Sequence, residues 1–248
     1  MNISGEGKNT VVVVTAVIIS VALIICSAIL AGAVKNYSGS KNTITVTGAA
    51  KKAIRSDLIV WSGSFSQTAP QLSDAYAKLN QDLVKVKAYL QQQGVPENEI
   101  VVSSINNMPM HGMAPNGMPT NNIEAYMLTQ SIEIKSDQVD KITELSRTST
   151  ELINQGVQFQ SQPPQYFYTK LNDLKVDMLA EASKDAKNRA EQLAQNSGGR
   201  IGPLKSAKMG VFQITRLNST EVSDYGINDT SSLEKEITAV VNEEFYVK

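Results

Sequence analysis

The sequence predicts an α+β fold: a largely antiparallel sheet with three amphipathic helices packed on it, preceded by one N-terminal transmembrane helix. Three observations point there. The run from Val11 to Val34 holds no charged residue in 24 positions. After it, segments with apolar residues at every second position alternate with segments at three-and-four spacing, the periods of strand and helix. Strands follow one another with helices interposed and polar faces outward, which is the order of an α+β domain.

The apolar run comes first. As a helix it is about 36 Å long, against a hydrocarbon core of roughly 30 Å. Only Thr15, Ser20 and Ser27 are polar within it. Each of these hydroxyls can bond back to the preceding turn of its own helix. A buried helix of a soluble protein is usually shorter and keeps a polar stripe. The competing reading is a signal peptide, since Ala31-Gly32-Ala33 has the small-x-small pattern for cleavage after Ala33. Against it, the stretch exceeds the ~7–15 residues of a signal core, and the head carries only Lys8 against Glu6. Cys26 follows Ile24 and Ile25, not the small residues of a lipoprotein signal. The chain thus divides into a short cytoplasmic head (1–10), an anchor in the lipid bilayer (11–34), a tether (35–42) and an exported domain (43–248). Its charge flanks are too balanced for the positive-inside rule to set orientation. A ten-residue head is cheaper to leave inside than a folded domain, which places that domain outside the cytoplasm.

Composition narrows the exported part. Outside the head there are 22 basic and 23 acidic side chains and no basic stripe, which excludes counterion-release binding to nucleic acid. Cys26 is the only cysteine and lies in the anchor, so the domain has neither thiol nor disulfide. About 210 residues suffice for a core that holds without them.

The elements follow in order. Thr43–Thr47 and Ile54–Ser66 read as strands, the second with Ile59, Trp61, Gly63 and Phe65 on one face and serines on the other. Thr68, Ala69 and Pro70 break it and start a helix. Leu72, Ala75, Tyr76, Leu79, Leu83, Val86 and Leu90 form that helix's apolar stripe; Gly94 ends it and Pro96 prevents resumption. Ile100–Asn106 and Ala125–Lys135 read as strands joined by a long loop. A second helix starts at Asp137, with Val139, Ile142, Leu145 and Leu152 inward and Gly156 closing it. Val157–Gln160 is a strand, Pro163-Pro164 a break, and Gln165–Thr169 a short aromatic stretch. The third helix, Leu171–Asn196, carries Ala182, Ala186, Ala190 and Ala194 at a spacing of four, a small-residue ridge for close packing. Lys205–Leu217 and Glu236–Val247 are the last strands, separated by a polar loop over Asn218–Ser232.

No catalytic constellation accompanies these elements. The single histidine, His111, sits in a Pro/Gly-rich loop without a nucleophile motif near it. Thiol catalysis and cysteine-based zinc sites are excluded. Glu243 and Glu244 point to opposite faces of a strand. Asp224, Asp229 and Glu234 lack EF-hand spacing. The expectation is a non-enzymatic domain with no cofactor and no identifiable small-molecule substrate.

One segment stands apart. Between Met108 and Met118 lie four of the eight methionines and the only histidine. Thioether sulfur with imidazole suits Cu(I) or Ag(I), and Met108, Met110, His111 and Met113 are the candidate ligands. A Met-rich contact with a partner or a second subunit is the other reading, and a plain connector the third.

Several stretches together resemble the SIMPL-domain (YggE-like) family of bacterial envelope proteins. They are Ala182-x3-Ala186-x2-Arg189-Ala190-x2-Leu193-Ala194 with Gly199-x2-Gly202, then Gly94-Val95 with Glu99-Ile100, Tyr126 with Asp137-x-Val139, Met209–Ile214 and Ile237–Val247. The resemblance runs from Ile44 to the C-terminus. It implies an exported, membrane-anchored or periplasmic protein that self-associates, and a link to oxidative-stress protection; it brings no catalytic residues. The expected function is therefore a structural or interaction component of the cell envelope, a homo-oligomer, with soft-metal binding at 108–118 as the alternative.

Overall fold

Where apolar alternation is strict, the backbone follows it. The computed structural model describes residues 6–39, 42–115 and 117–248, with side chains over 12–32 and, except 116, from 42 onward. Its elements are α1 (Glu6–Gly39), β1 (Thr43–Arg55), β2 (Leu58–Ala69), α2 (Leu72–Gln92), β3 (Ile100–Val102), β4 (Asn106–Met113), β5 (Pro119–Ser136) and α3 (Val139–Thr148). Then come β6 (Phe159–Ser161), β7 (Gln165–Phe167), α4 (Leu171–Asn196), β8 (Ile201–Met209), β9 (Gln213–Arg216), β10 (Ile227–Asn228) and β11 (Glu234–Val247). The fold is α+β, with antiparallel-rich sheets and one apolar helix at the N-terminus. Two compact units result: Met1–Ala49, Leu179–Gly210 and Val240–Lys248 in one, Ala50–Met178 and Val211–Ala239 in the other.

In the first unit the C-terminal half of β11 pairs antiparallel with β8, from Val241 opposite Met209 to Val247 opposite Ile201. β1 is also a neighbour of β11. The expected alanine ridge is buried: Ala182, Ala186 and Ala190 are fully covered and Ala194 nearly so. What covers it is visible at Gly48, where an added Cβ would lie on the Ala182 carbonyl and 2.5 Å from the Ala186 nitrogen. Alanine on one element and glycine on the other let β1 and α4 approach backbone to backbone. Glu243, buried between Val241 and Phe245 on β11, accepts a 2.6 Å hydrogen bond from the Ser183 hydroxyl of α4.

The second unit is built on a six-stranded sheet, in the order β3-β5-β2-β6 with β4 on β5 and β7 on β2. β2 and β5 pair without interruption from Ile59 opposite Ser136 to Ala69 opposite Tyr126. The predicted inward face of β2 is buried, and Ile59, Trp61 and Phe65 share one core with Leu79, Val86 and Leu90 of α2 and Ile142 and Leu145 of α3. At Gly63 a Cβ would strike the Phe159 ring, so the gap in the apolar row is where that ring lies over the strand. β9 and the N-terminal half of β11 pair antiparallel, and β10 joins β9 in parallel.

Several boundaries differ from expectation. β1 continues to Arg55 through Ala49-Ala50-Lys51-Lys52, where propensity alone is weak for a strand. Thr68 and Ala69 do not break β2; Ala69 is a paired, buried strand residue. Lys205–Leu217 is two strands, since the chain turns at Gly210, whose amide donates to the Val240 carbonyl. The polar loop holds the short strand β10. α1 runs on to Gly39, through most of the segment expected as a tether, because no proline follows the apolar run. The start of the head (1–5) and tether residues 40–41 lie outside the described residues.

Candidate functional site

The Met/His segment is a strand, where a loop was expected. Asn106–Met113 forms β4, which lies at the sheet margin and, among the described residues, pairs only with β5. Proline and glycine argued against regular structure here, yet a margin is where Pro109 can sit without costing a ladder bond. The chain reverses through a turn in which Gly117 donates to the Ala114 carbonyl and Ala114 to that of Met118, at 2.8 and 2.9 Å. Gly117 has φ +77°, a backbone state that favours glycine. Asn116, within the expected loop, lies outside the described residues.

β5 outruns its other neighbour. Its pairing with β2 ends at Tyr126, so among the described residues Pro119–Ala125 has only β4 beside it. The result is a two-stranded ribbon extending roughly 20 Å past β2. From Ile100 to Ile123 there is no Asp, Glu, Lys or Arg. Instead Met108, Met110, Met113, Met118 and Ile123 are all more than 40 % exposed.

Register decides which of these side chains meet. Met108 stands opposite Met127, Met110 opposite Ala125 and His111 opposite Ile123, with irregularities on either side of His111. Alternation puts Met108 and Met110 on one face, together with Met127. The irregularities on either side of His111 interrupt that alternation before it reaches His111 and Met113. Of the four ligands expected from the sequence, Met108 and Met110 thus share a face with Met127, while His111 and Met113 lie across the irregularities. The Asn116-Gly117 dipeptide was the sequence signal for a hairpin here. It does not yield the register. Counting back from Met113 opposite Pro119 sets Met108 against Glu124, and the irregularities move it three residues to Met127.

The remaining ionisable groups are engaged structurally. Glu243 and Glu244 do part company: Glu244 accepts from the Thr43 hydroxyl at 2.7 Å, from Lys205 at 3.0 Å and from Ser206 at 3.2 Å. The Thr43 bond, then the Lys205 ammonium, hold its pKa below the ordinary carboxylate value. Asp229 accepts from the Ser231 amide and hydroxyl, whereas Glu234 lies 3.4 Å from Arg55. Lys235 is buried and donates to the Tyr166 carbonyl at 2.6 Å; burial lowers its pKa, and Asp229 offsets part of that. Among the described residues no three His, Cys, Asp or Glu side chains gather as a metal cluster.

Two surface cavities carry little chemistry. One, of about 620 Å³, is lined by Thr45, Val46, Thr47, Asn188, Arg189, Gln192 and Leu193, with Arg189 already bonded to Asp185 at 2.8 Å. The other, of about 420 Å³, includes Ser146, Ser161 and Tyr166. Its hydroxyls are committed: Ser161 accepts from the Trp61 indole and donates to the Ser146 carbonyl, and Tyr166 bonds Thr143.

Against models of known families, residues 44–245 match SIMPL, described as a protein of unknown function (DUF541). No curated protein matches the chain.

Proposed function

The chain belongs to the SIMPL family, and on that footing we propose that it is a membrane-anchored, non-enzymatic component of the bacterial cell envelope, associating with copies of itself through the β4–β5 ribbon. The anchor half of this reading is supported by Val12–Gly32, 21 residues of mean hydropathy 2.9 within α1. The association half rests on one observation: an extended ribbon, free of charge from Ile100 to Ile123 and with its methionines exposed, that no other strand of the described chain covers. An isolated two-stranded hairpin is marginal in water, so a partner that covers it stabilises it. A second copy fits because the stretch Ile100–Ile123 carries no charge to repel its like, and one patch serves both sides of a two-fold contact. Pro109 blunts the strand margin against edge-to-edge pairing. The contact is thus face to face, and it includes the exposed Met113 and Ile123 side chains.

Light scattering on the detergent-solubilised full chain tests this. The wild type should run as a multimer. Met113→Glu with Ile123→Glu, which brings like charges together at that face, should shift it to the monomer mass. A monomeric wild type, or a multimer indifferent to both substitutions, would sink the reading.

A further inference from the structure

The same ribbon holds a second group of methionines that the contact through Met113 and Ile123 does not use. We propose that Met108, Met110 and Met127 form a binding site for a soft monovalent cation, Cu(I) or Ag(I). Met108 and Met127 are direct cross-strand partners, which puts their Cβ atoms about 4.5–5.5 Å apart. Met110 follows Met108 on the same face, about 7 Å along the strand. Methionine has three rotatable bonds, enough to turn three sulfurs toward one ion from those positions. Met127 faces away from the side of β5 that buries Leu128 and Ile132, so all three stand on the solvent side of the sheet.

Core packing does not account for these residues. Met108 and Met110 are 51 % and 44 % exposed, and a methionine used as core filler is buried. Thioethers are neutral and polarisable, and soft ligands select Cu(I) over Mg²⁺ or Ca²⁺, which require oxygen. Outside the cytoplasm they also avoid the disulfide chemistry that would consume a thiolate. The neighbourhood includes one carboxylate. A Cβ on Gly112, two residues beyond Met110 on β4, would fall on the Glu124 side chain. Its negative charge favours a nearby monocation, and a single carboxylate is too few oxygens for calcium.

The ligand set has a consequence for pH. A thioether loses no proton on binding metal, so affinity should stay flat from about pH 7.5 to about pH 5.5, where a histidine ligand would protonate. The test is anaerobic competition for Cu(I) against bicinchoninate, with the detergent-solubilised full chain carrying Cys26→Ser so that its lone thiol does not compete. That chain should take up Cu(I), and adding Met108→Leu, Met110→Leu and Met127→Leu together should weaken uptake at least about tenfold. His111→Ala and Met113→Leu should change it less than about twofold. Copper-edge X-ray absorption should show sulfur neighbours and no imidazole. Met127→Leu alone, an isosteric change, should still weaken binding if the triple variant folds poorly. Equal affinity in wild type and triple variant overturns the site, as does a loss in His111→Ala matching that of the triple variant. Because Met113→Glu with Ile123→Glu leaves all three sulfurs in place, Cu(I) uptake by that form separates this proposal from self-association.

Discussion

A side chain at position 48 has nowhere to go. Its Cβ would meet α4 backbone, which cannot swing aside as a flexible side chain can. Gly48→Ala should therefore cost about 3 kcal/mol, the upper end of ordinary overpacking, and Ala186→Leu about 1–3 kcal/mol. Lys187→Leu, on the exposed side of α4, should stay within about 0.5 kcal/mol. Denaturant midpoints of the three variants decide it; an indifferent Gly48→Ala would mean that β1 and α4 do not touch there. Asp185, next to Ala186 in the chain, ties the same two elements together. Its carboxylate accepts from the Ala49 amide at 2.9 Å and from Arg189 at 2.8 Å. The Ala49 bond foremost, then Arg189, lowers its pKa below the ordinary 3.8, against a smaller opposing effect of burial. A lowered folded pKa means that the unfolded chain binds more protons in acid. The stabilisation is then complete above 3.8 and lost as pH falls from there through the lower folded value. Asp185→Asn should accordingly be less stable than wild type at neutral pH, and the gap should close in acid. A gap that persists unchanged at the lowest pH would show that the carboxylate's charge contributes nothing.

At the scale of elements, legibility followed the range of the physics. α4 was readable to its ends, because its ridge and its terminal glycines are local signals. β11 was readable by alternation, and Ile237, Ala239, Val241 and Phe245 are buried, with Val247 half-buried at its end. β4 was not, since its strand state comes from pairing with β5 and its own proline and glycine argue the other way. Met127 was further out of reach, because two irregularities set its register. The ribbon should also be the least protected part of its sheet, with one neighbour per strand where β5 and β2 have two. Amides of Met110–Met113 should exchange faster than those of Leu128–Ile134. Gly117→Ala, forced to positive φ in open space, should widen that difference and cost about 1 kcal/mol locally, with the global denaturant midpoint unmoved. Equal protection along the whole of β5 would mean that the ribbon is already covered, as in a multimer that persists under the conditions used.

For the whole molecule, the question is whether the domain leaves its anchor. α1 is 34 residues long, about 51 Å as a helix, whereas a bilayer core takes roughly 30 Å. Val12–Gly32 is long and apolar enough to fill that core, and its Ser20 and Ser27 hydroxyls bond back to the Ala16 and Ile24 carbonyls at 2.8 Å. Those bonds remove the cost of placing hydroxyls in lipid. A signal peptide needs only a short apolar core before its cleavage site, and the small residues at Ala31-Gly32-Ala33 here fall inside an unbroken helix. Proteases cleave extended segments, so a helix that continues past Ala33 to Gly39 disfavours processing. Expressed in a bacterium, the full chain should stay in the membrane pellet through a carbonate wash and retain its N-terminal residues by mass. Soluble protein beginning at Val34 would establish cleavage instead, and self-association would then have to proceed without the two-dimensional concentration that a shared membrane provides.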